Sequence, residues 1–189
     1  LLMLQVLQES CLPKNYYMNN YKEFIKKILQ EASEIARNNF GKTSSITTKS
    51  GDNNQVLTET DLAIGRLIVG KINETFPAHN IIDEEAGVID NKSEYTWVED
   101  PVDGTSNFAN GIPLYGIMVG LLQKETPIAG GISLPSFNEL YVAKKGKGAF
   151  CNDERIHATN EENLLKVLVA YGIDGHQEDP EITKKETSI

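Results

Sequence analysis

Cysteine is almost missing from this chain: 189 residues hold two, Cys11 and Cys151. Two thiols form neither a disulfide framework nor a zinc-binding spacing. That scarcity points to a reducing compartment, and the cytoplasm is the expected location. Histidine is scarce too, with His79, His157 and His176 far apart and polar-flanked. They suggest no Ser–His–Asp or Cys–His arrangement and read as ordinary surface residues. No apolar run is long enough to span a membrane. The opening LLMLQVL is short and lacks a basic flank, so it does not read as a signal peptide. Basic residues are outnumbered, 18 against 27 acidic, for a net charge of −9. With no basic stripe, that balance argues against nucleic acid as the main partner. The acid surplus is mostly solvated surface and only weakly favours cation binding. The glycine-rich GKG at Gly146–Gly148 lacks the continuation of a P-loop.

Two amphipathic helices open the patterned part of the chain. From Asn20 to Phe40, apolar residues recur at Tyr21, Phe24, Ile25, Ile28, Leu29, Ala32, Ile35 and Ala36, and Gly41 is a natural stop. Met18, just ahead of this helix, is the expected start of the folded unit 18–189, with 1–17 an upstream segment. The polar stretch Thr43–Gln55 reads as a mobile loop, with a short strand near Ser45–Thr48 and Lys49 as a surface lysine. A second helix is expected from Thr60, a plausible cap, to Phe76, through Ile64, Leu67, Ile68 and Ile72. Asp61 in its first turn fits dipole complementarity or an acid held at a fixed helix start. Asn80–Ile82 reads as a strand ending in three carboxylates, Asp83, Glu84 and Glu85. Further on, Leu114–Gln123, Pro127–Leu134, Glu139–Lys144 and Ala149–Cys151 predict an antiparallel meander. Leu165–Ala170 predicts a last strand, and the tail after Asp174 is polar. Helices followed by consecutive strands make an α+β chain.

Trp97–Phe108, WVEDPVDGTSNF, is the chemically richest stretch. Its apolar start reads as a strand, expected to end at Pro101, which has no N–H for the ladder. Asp103-Gly104 signals a turn, and Thr105 or Ser106 can cap a short helix whose free N–H groups attract anions. The strand-then-acid pattern at Asp83 repeats at Asp100, which suggests neighbouring strand ends presenting acids to one place. Two hard oxygen ligands beside an anion site suit Mg²⁺-assisted phosphoryl chemistry.

DPVDGTSNF, taken with Glu84-Glu85, with TETD at Thr58–Asp61 and with the later AKKGKGAFCND, resembles the inositol monophosphatase family of magnesium-dependent, lithium-sensitive phosphatases. The match runs from about Tyr21 to Glu181 in family order. The resemblance implies a layered αβαβα sugar-phosphatase fold, of which this chain holds the first α layer and the β-sheet. It implies Glu84, Asp100 and Asp103 as metal ligands, together with the backbone carbonyl of Val102. It makes Asp61 and Thr105 the pair that holds and activates the attacking water, with Glu84 serving catalysis through the metal. Gly104 and Thr105 would contact phosphate through their amides. Lys49 falls in the loop that reaches toward the site. Mg²⁺ in clusters of about two or three ions is the implied cofactor. Inhibition by Li⁺, a small phosphate monoester as substrate and a homodimer in the full-length form are implied as well.

The family continues for a further αβ layer with a W-D-x-A-A-G-like segment that supplies another metal ligand. This sequence contains no such segment, and its one tryptophan is Trp97. The expectation is a fragment, or a chain completed by another polypeptide, with weakened or absent catalysis alone. Smaller departures are Asp83, where glycine is frequent, and Ser106, where threonine is frequent. Inositol monophosphate is the expected substrate. Histidinol phosphate and fructose 1,6-bisphosphate are alternatives, and a catalytically incomplete metal-binding fragment is a third reading.

Overall fold

The computed structural model describes residues 20–42, 46–48 and 56–168. The upstream segment with Met18, Lys49 and most of its loop, and the tail from Val169 lie outside the described residues.

Helix α1 (Tyr21–Asn39) forms where the apolar period predicts it. Its buried stripe is Phe24, Ile25, Ile28, Leu29, Ala32 and Ala36. At its end the Phe40 N–H reaches the Ala36 carbonyl at 2.9 Å, and Gly41 turns the chain away at φ +70°. Helix α2 (Glu59–Thr75) is capped by Thr58 rather than Thr60. The Thr58 hydroxyl receives the Thr60 and Asp61 amides, and the Asp61 carboxylate receives the Thr58 amide at 3.0 Å. This reciprocal capping box needs its acid at the third helical position, which makes Thr58 the cap.

Strands β1 (Ile46–Thr48) and β2 (Val56–Thr58) pair with each other. The main sheet has eight strands: β3 (Asn80–Asp83), β4 (Gly87–Ile89), β5 (Tyr95–Asp103), β6 (Gly116–Gln123), β7 (Thr126–Leu134), β8 (Glu139–Lys144), β9 (Gly148–Cys151) and β10 (Glu154–Ile156). Their spatial order is β10-β9-β8-β7-β6-β5-β3-β4. The meander is antiparallel as expected, but β3 runs parallel to β5. Both strands therefore end at the same edge, which brings their terminal acids together.

One correction concerns Pro101. Strand β5 does not stop there; it continues to Asp103. Asp100 pairs with Met118 and Asp103 with Gly116, so three steps on β5 oppose two on β6. Proline is tolerated in such a bulge because the ladder is already broken there. A second correction concerns Leu165–Ala170. Leu164–Lys166 form a 3₁₀ turn, with Leu165 94% exposed. An apolar run becomes a strand only beside a backbone partner, and none pairs with it among the described residues.

Both long helices lie on one face of the sheet. Ile25, Leu29, Ile64, Ile68, Ile81, Trp97, Ile117 and Leu121 form a core between 0% and 1% exposed. Gly131 of β7 lets α1 settle onto the backbone, since a Cβ there would sit 2.7 Å from Ile25 and 2.8 Å from Leu29. Ser33 and Ser133, both buried, meet hydroxyl to hydroxyl at 2.6 Å at the same contact. The arrangement is α+β, one helical layer on one sheet. Among the described residues, no helix is long and apolar enough to cross a membrane.

Candidate metal and phosphate site

Asp61 is 1% exposed, buried in the first turn of α2 with Thr58 and Thr60. One carboxylate oxygen, Oδ2, takes the Thr58 amide and also the Thr58 hydroxyl. The other, Oδ1, lies 3.0 Å from the Thr105 hydroxyl, across 44 residues of sequence. Burial pushes the Asp61 carboxyl above its usual value, and these hydrogen bonds pull it partly back. The Thr105 hydroxyl also lies 2.8 Å from the Val102 carbonyl oxygen. It has one proton for two acceptors, so its lone pairs stay free to receive a hydrogen bond.

Thr105 begins the five-residue helix α3 (Thr105–Ala109), and Gly104 is the cap, not Thr105 or Ser106. Gly104 has φ +82°, and a Cβ on it would sit 3.0 Å from the Leu114 carbonyl. Both facts require glycine. With the backbone making the turn, the Thr105 hydroxyl is released from capping and bonds Asp61 and Val102 instead.

The acids gather as the strand-end pattern suggests. Asp83 and Glu99 are register partners on β3 and β5. Asp83 Oδ1 accepts the Glu85 and Ala86 amides at 2.6 and 2.7 Å, which tightens the turn holding Glu84. Asp100 is pushed up to about 7 by burial, then by the charges of Glu84 and Asp103 and a hydrogen bond with Glu84. Glu84, Asp100 and Asp103 are thus near neighbours. In a flat strand, residues three apart face opposite ways, and the bulge at Pro101-Val102 resolves that for Asp100 and Asp103.

Glu99 is the residue that reasoning from the sequence missed. It is 3% exposed, and neither carboxylate oxygen meets a hydrogen-bond donor among the described residues. Its neighbour is the Asp83 carboxyl, and two carboxyls bond only when one is protonated. Burial, the hydrogen bond with Asp83 and the surrounding negative charge push Glu99 up to about 9. The signal was available: alternation along β5 puts Glu99 on the helix side with buried Trp97. Gly65 of α2 closes this pocket, where a Cβ would lie 3.2 Å from Asp83 Oδ2. His79 is a further correction. It does not stand free at the surface but stacks within an aromatic cluster and receives the Trp97 indole N–H.

The donor chemistry suits a hard cation: Glu84, Asp100, Asp103 and the Val102 carbonyl offer oxygen only. Their mutual repulsion at Asp100 is negative charge that a cation would offset. As the side chains stand, no three His, Cys, Asp or Glu among the described residues form a coordination shell. The fit is therefore one of ligand type and neighbourhood.

Known proteins share this arrangement of sequence and fold. A model of the inositol monophosphatase family matches residues 18–188. A fructose-1,6-bisphosphatase/inositol-1-monophosphatase of Aquifex aeolicus is 34% identical over 155 residues, covering 82% of this chain and 59% of that protein. Inositol monophosphatase 2 of Solanum lycopersicum is 35% identical over 158 residues, covering 81% of this chain and 59% of that protein. The solved structure of an IMPase from Thermotoga maritima matches with a TM-score of 0.68 at 31% identity, over 73% of this chain and 53% of that one. The chain thus spans 59% of the length of these two curated relatives. On the family match and these identities together, the chain belongs to the inositol monophosphatase family.

Proposed function

We propose that this chain provides the metal-binding and water-activating part of a Mg²⁺-dependent phosphatase for a small phosphate monoester, inositol monophosphate first. The observation that carries the reading is the Asp61–Thr105 hydrogen bond beside the Asp100–Asp103 bulge. Glu84, Asp100, Asp103 and the Val102 carbonyl would hold Mg²⁺. Bound there, the metal supplies charge neutralisation of the phosphate and a more acidic bound water.

The chain's own groups do the rest. The Thr105 oxygen receives a hydrogen bond from the attacking water and passes its own proton toward Asp61. The raised affinity of Asp61 for a proton suits it to act as the base. The water oxygen bonds to phosphorus, the ester P–O bond breaks, and the leaving alkoxide takes a proton from solvent, to which Asp61 returns the one it accepted. Gly104 and Thr105, at the start of α3, are the proposed amide donors to the phosphate oxygens. A homodimer of the longer form and inhibition by Li⁺ belong to the same proposal. Hydrolysis of fructose 1,6-bisphosphate is a second reading, favoured by the double name of the Aquifex relative.

A Mg²⁺ titration followed by thermal melting tests the metal site on the 189-residue chain. Ligand at a hundred times its dissociation constant stabilises by about 2.7 kcal/mol. The expected result is a Mg²⁺-dependent rise in melting temperature that Asp100→Ala removes. No rise through tens of millimolar Mg²⁺ would sink the proposal. Phosphate release from inositol monophosphate and fructose 1,6-bisphosphate, with and without a supplied C-terminal half, then reads the activity and ranks the substrates.

A further inference from the structure

His79 stands at the entry of β3, outside the candidate site, and is packed in a way that ties it to one protonation state. The indole Nε1–H of Trp97 donates to His79 Nδ1 at 3.1 Å. Nδ1 is therefore bare, and the imidazole is neutral with its proton on Nε2. The ring is sandwiched between Phe76 at 5.0 Å and Tyr95 at 4.8 Å, each within 15° of parallel. Trp97 itself is 0% exposed. The connection joins the two parallel strands at the end away from the acids, since Asn80 pairs with Thr96 and Ile81 with Trp97.

We propose that the His79–Trp97 pair is a pH-sensitive latch between β3 and β5. A proton on Nδ1 sets two N–H groups against each other and leaves a buried indole donor without an acceptor. The groups around the ring are Tyr21 from α1, Phe76 from the end of α2, Tyr95 and Trp97 from β5, and Asn91, whose Nδ2 donates to the His79 carbonyl at 2.7 Å. Of the titratable ones, Tyr21 is held neutral by a pKa raised through burial and the neighbouring Tyr95. Asp90 and Lys92, beside Asn91, pair with each other, and Lys144 of β8 lies 5.8 Å from the Tyr21 ring centre. It opposes a second positive charge. The two stacked rings would attract an imidazolium through their faces. Burial acts the other way and lowers the His79 pKa below its ordinary 6.5. The latch is closed at neutral pH and opens on acidification, slackening β3, which leads to Glu84, and β5, which carries Asp100 and Asp103.

Trp97 is the chain's single tryptophan, so its fluorescence reports on the pair directly. Emission from the full chain, titrated from pH 8 to 4.5, is expected to be quenched in one step with a midpoint below 6.5. His79→Gln, which keeps an acceptor that does not titrate, should abolish the step and flatten the fall in melting temperature over the same range. A step that survives in His79→Gln, or a wild-type midpoint at or above 6.5, would overturn the latch. Should His79→Gln fail to fold, the double variant His157→Asn, His176→Asn leaves His79 as the sole imidazole. It must then keep the full step, and its ring-nitrogen NMR shifts must show the Nε2–H form at pH 8. Loss of the step, or the other tautomer, rejects the idea.

Discussion

The two faces of the eight-stranded sheet make a controlled comparison, because the same strands supply both. On one face α1 and α2 cover Trp97, Ile117, Val119 and Leu121, none more than 2% exposed. On the other, Val98, Ile82 and Ile132 are 38%, 41% and 41% exposed, and no layer covers them among the described residues. That open face has a shallow apolar hollow of about 490 Å³ between Val98, Met118, Ile132 and Tyr141, with Asp100 at its rim. The covered face holds the stability; the open face holds Asp100. Oddly placed for that division is Glu99, a carboxyl on the covered side.

The comparison can be broken most severely at Leu29. Leu29→Ala should cost about 2–5 kcal/mol in urea or thermal unfolding, because it empties a site with 0% exposure between helix and sheet. Ile132→Ala on the open face should cost well under half of that, and equal losses would mean that the two faces are equally packed.

Removing the misplaced carboxyl is the next largest change. Glu99→Leu should stabilise the metal-free protein at pH 8 by about 1–4 kcal/mol. The pH dependence gives the sign. Glu99 is raised from 4.5 to about 9, so the folded chain holds its proton over a range where the unfolded chain has lost it. Stability from this group is complete below 4.5 and declines as pH rises toward 9. Denaturation midpoints between pH 7 and 9, above the His79 step, should fall with rising pH in the wild type and fall less in Glu99→Gln. A midpoint that rises with pH over that window in metal-free buffer would refute the buried-acid picture.

The finest comparison uses adjacent glycines. Gly131→Ala points a methyl at Ile25 and Leu29, within 2.8 Å, and should cost about 1–3 kcal/mol. Gly130→Ala meets only ordinary contacts, 3.5 Å from the Val119 carbonyl, and should stay within about 0.5 kcal/mol of wild type. Thermal melts of the pair would show which face bears the load.

What could be read in the chain follows which forces are local. The helices were legible because amphipathic spacing is written residue by residue, as at Ile25, Ile28 and Leu29. The DPVDGT acids were legible because turn chemistry is local, and resemblance supplied Asp61 and Glu84. The three-residue strands β2, β4 and β10 were not, because such short strands are set by their neighbours rather than by composition. Pro101 misled because a rule about regular ladders does not hold inside a bulge. Leu164–Lys166 misled in the other direction, an apolar-led run that forms a 3₁₀ turn with no strand partner among the described residues. His79 hid because its sequence neighbours, Ala78 and Asn80, say nothing of Trp97, 18 residues away. Thr58 was passed over for Thr60 because both are good caps, and only the distance to Asp61 separates them.

A strand counts its side chains in twos, and the bulge at Pro101-Val102 is where this chain miscounts on purpose. That makes the segment unforgiving of length in a way it need not be of composition. Val102 can change to another apolar residue of similar size and leave the tally intact. Removing one residue from the regular run before it, between Trp97 and Asp100, reverses the parity and swings Asp100 and Asp103 to the other face of the sheet. The loop Asp90–Ser93, by contrast, lies before β5 begins its count, so a residue gained or lost there costs its hydrogen bonds to Asn80 and His79 but leaves the strand's parity unchanged.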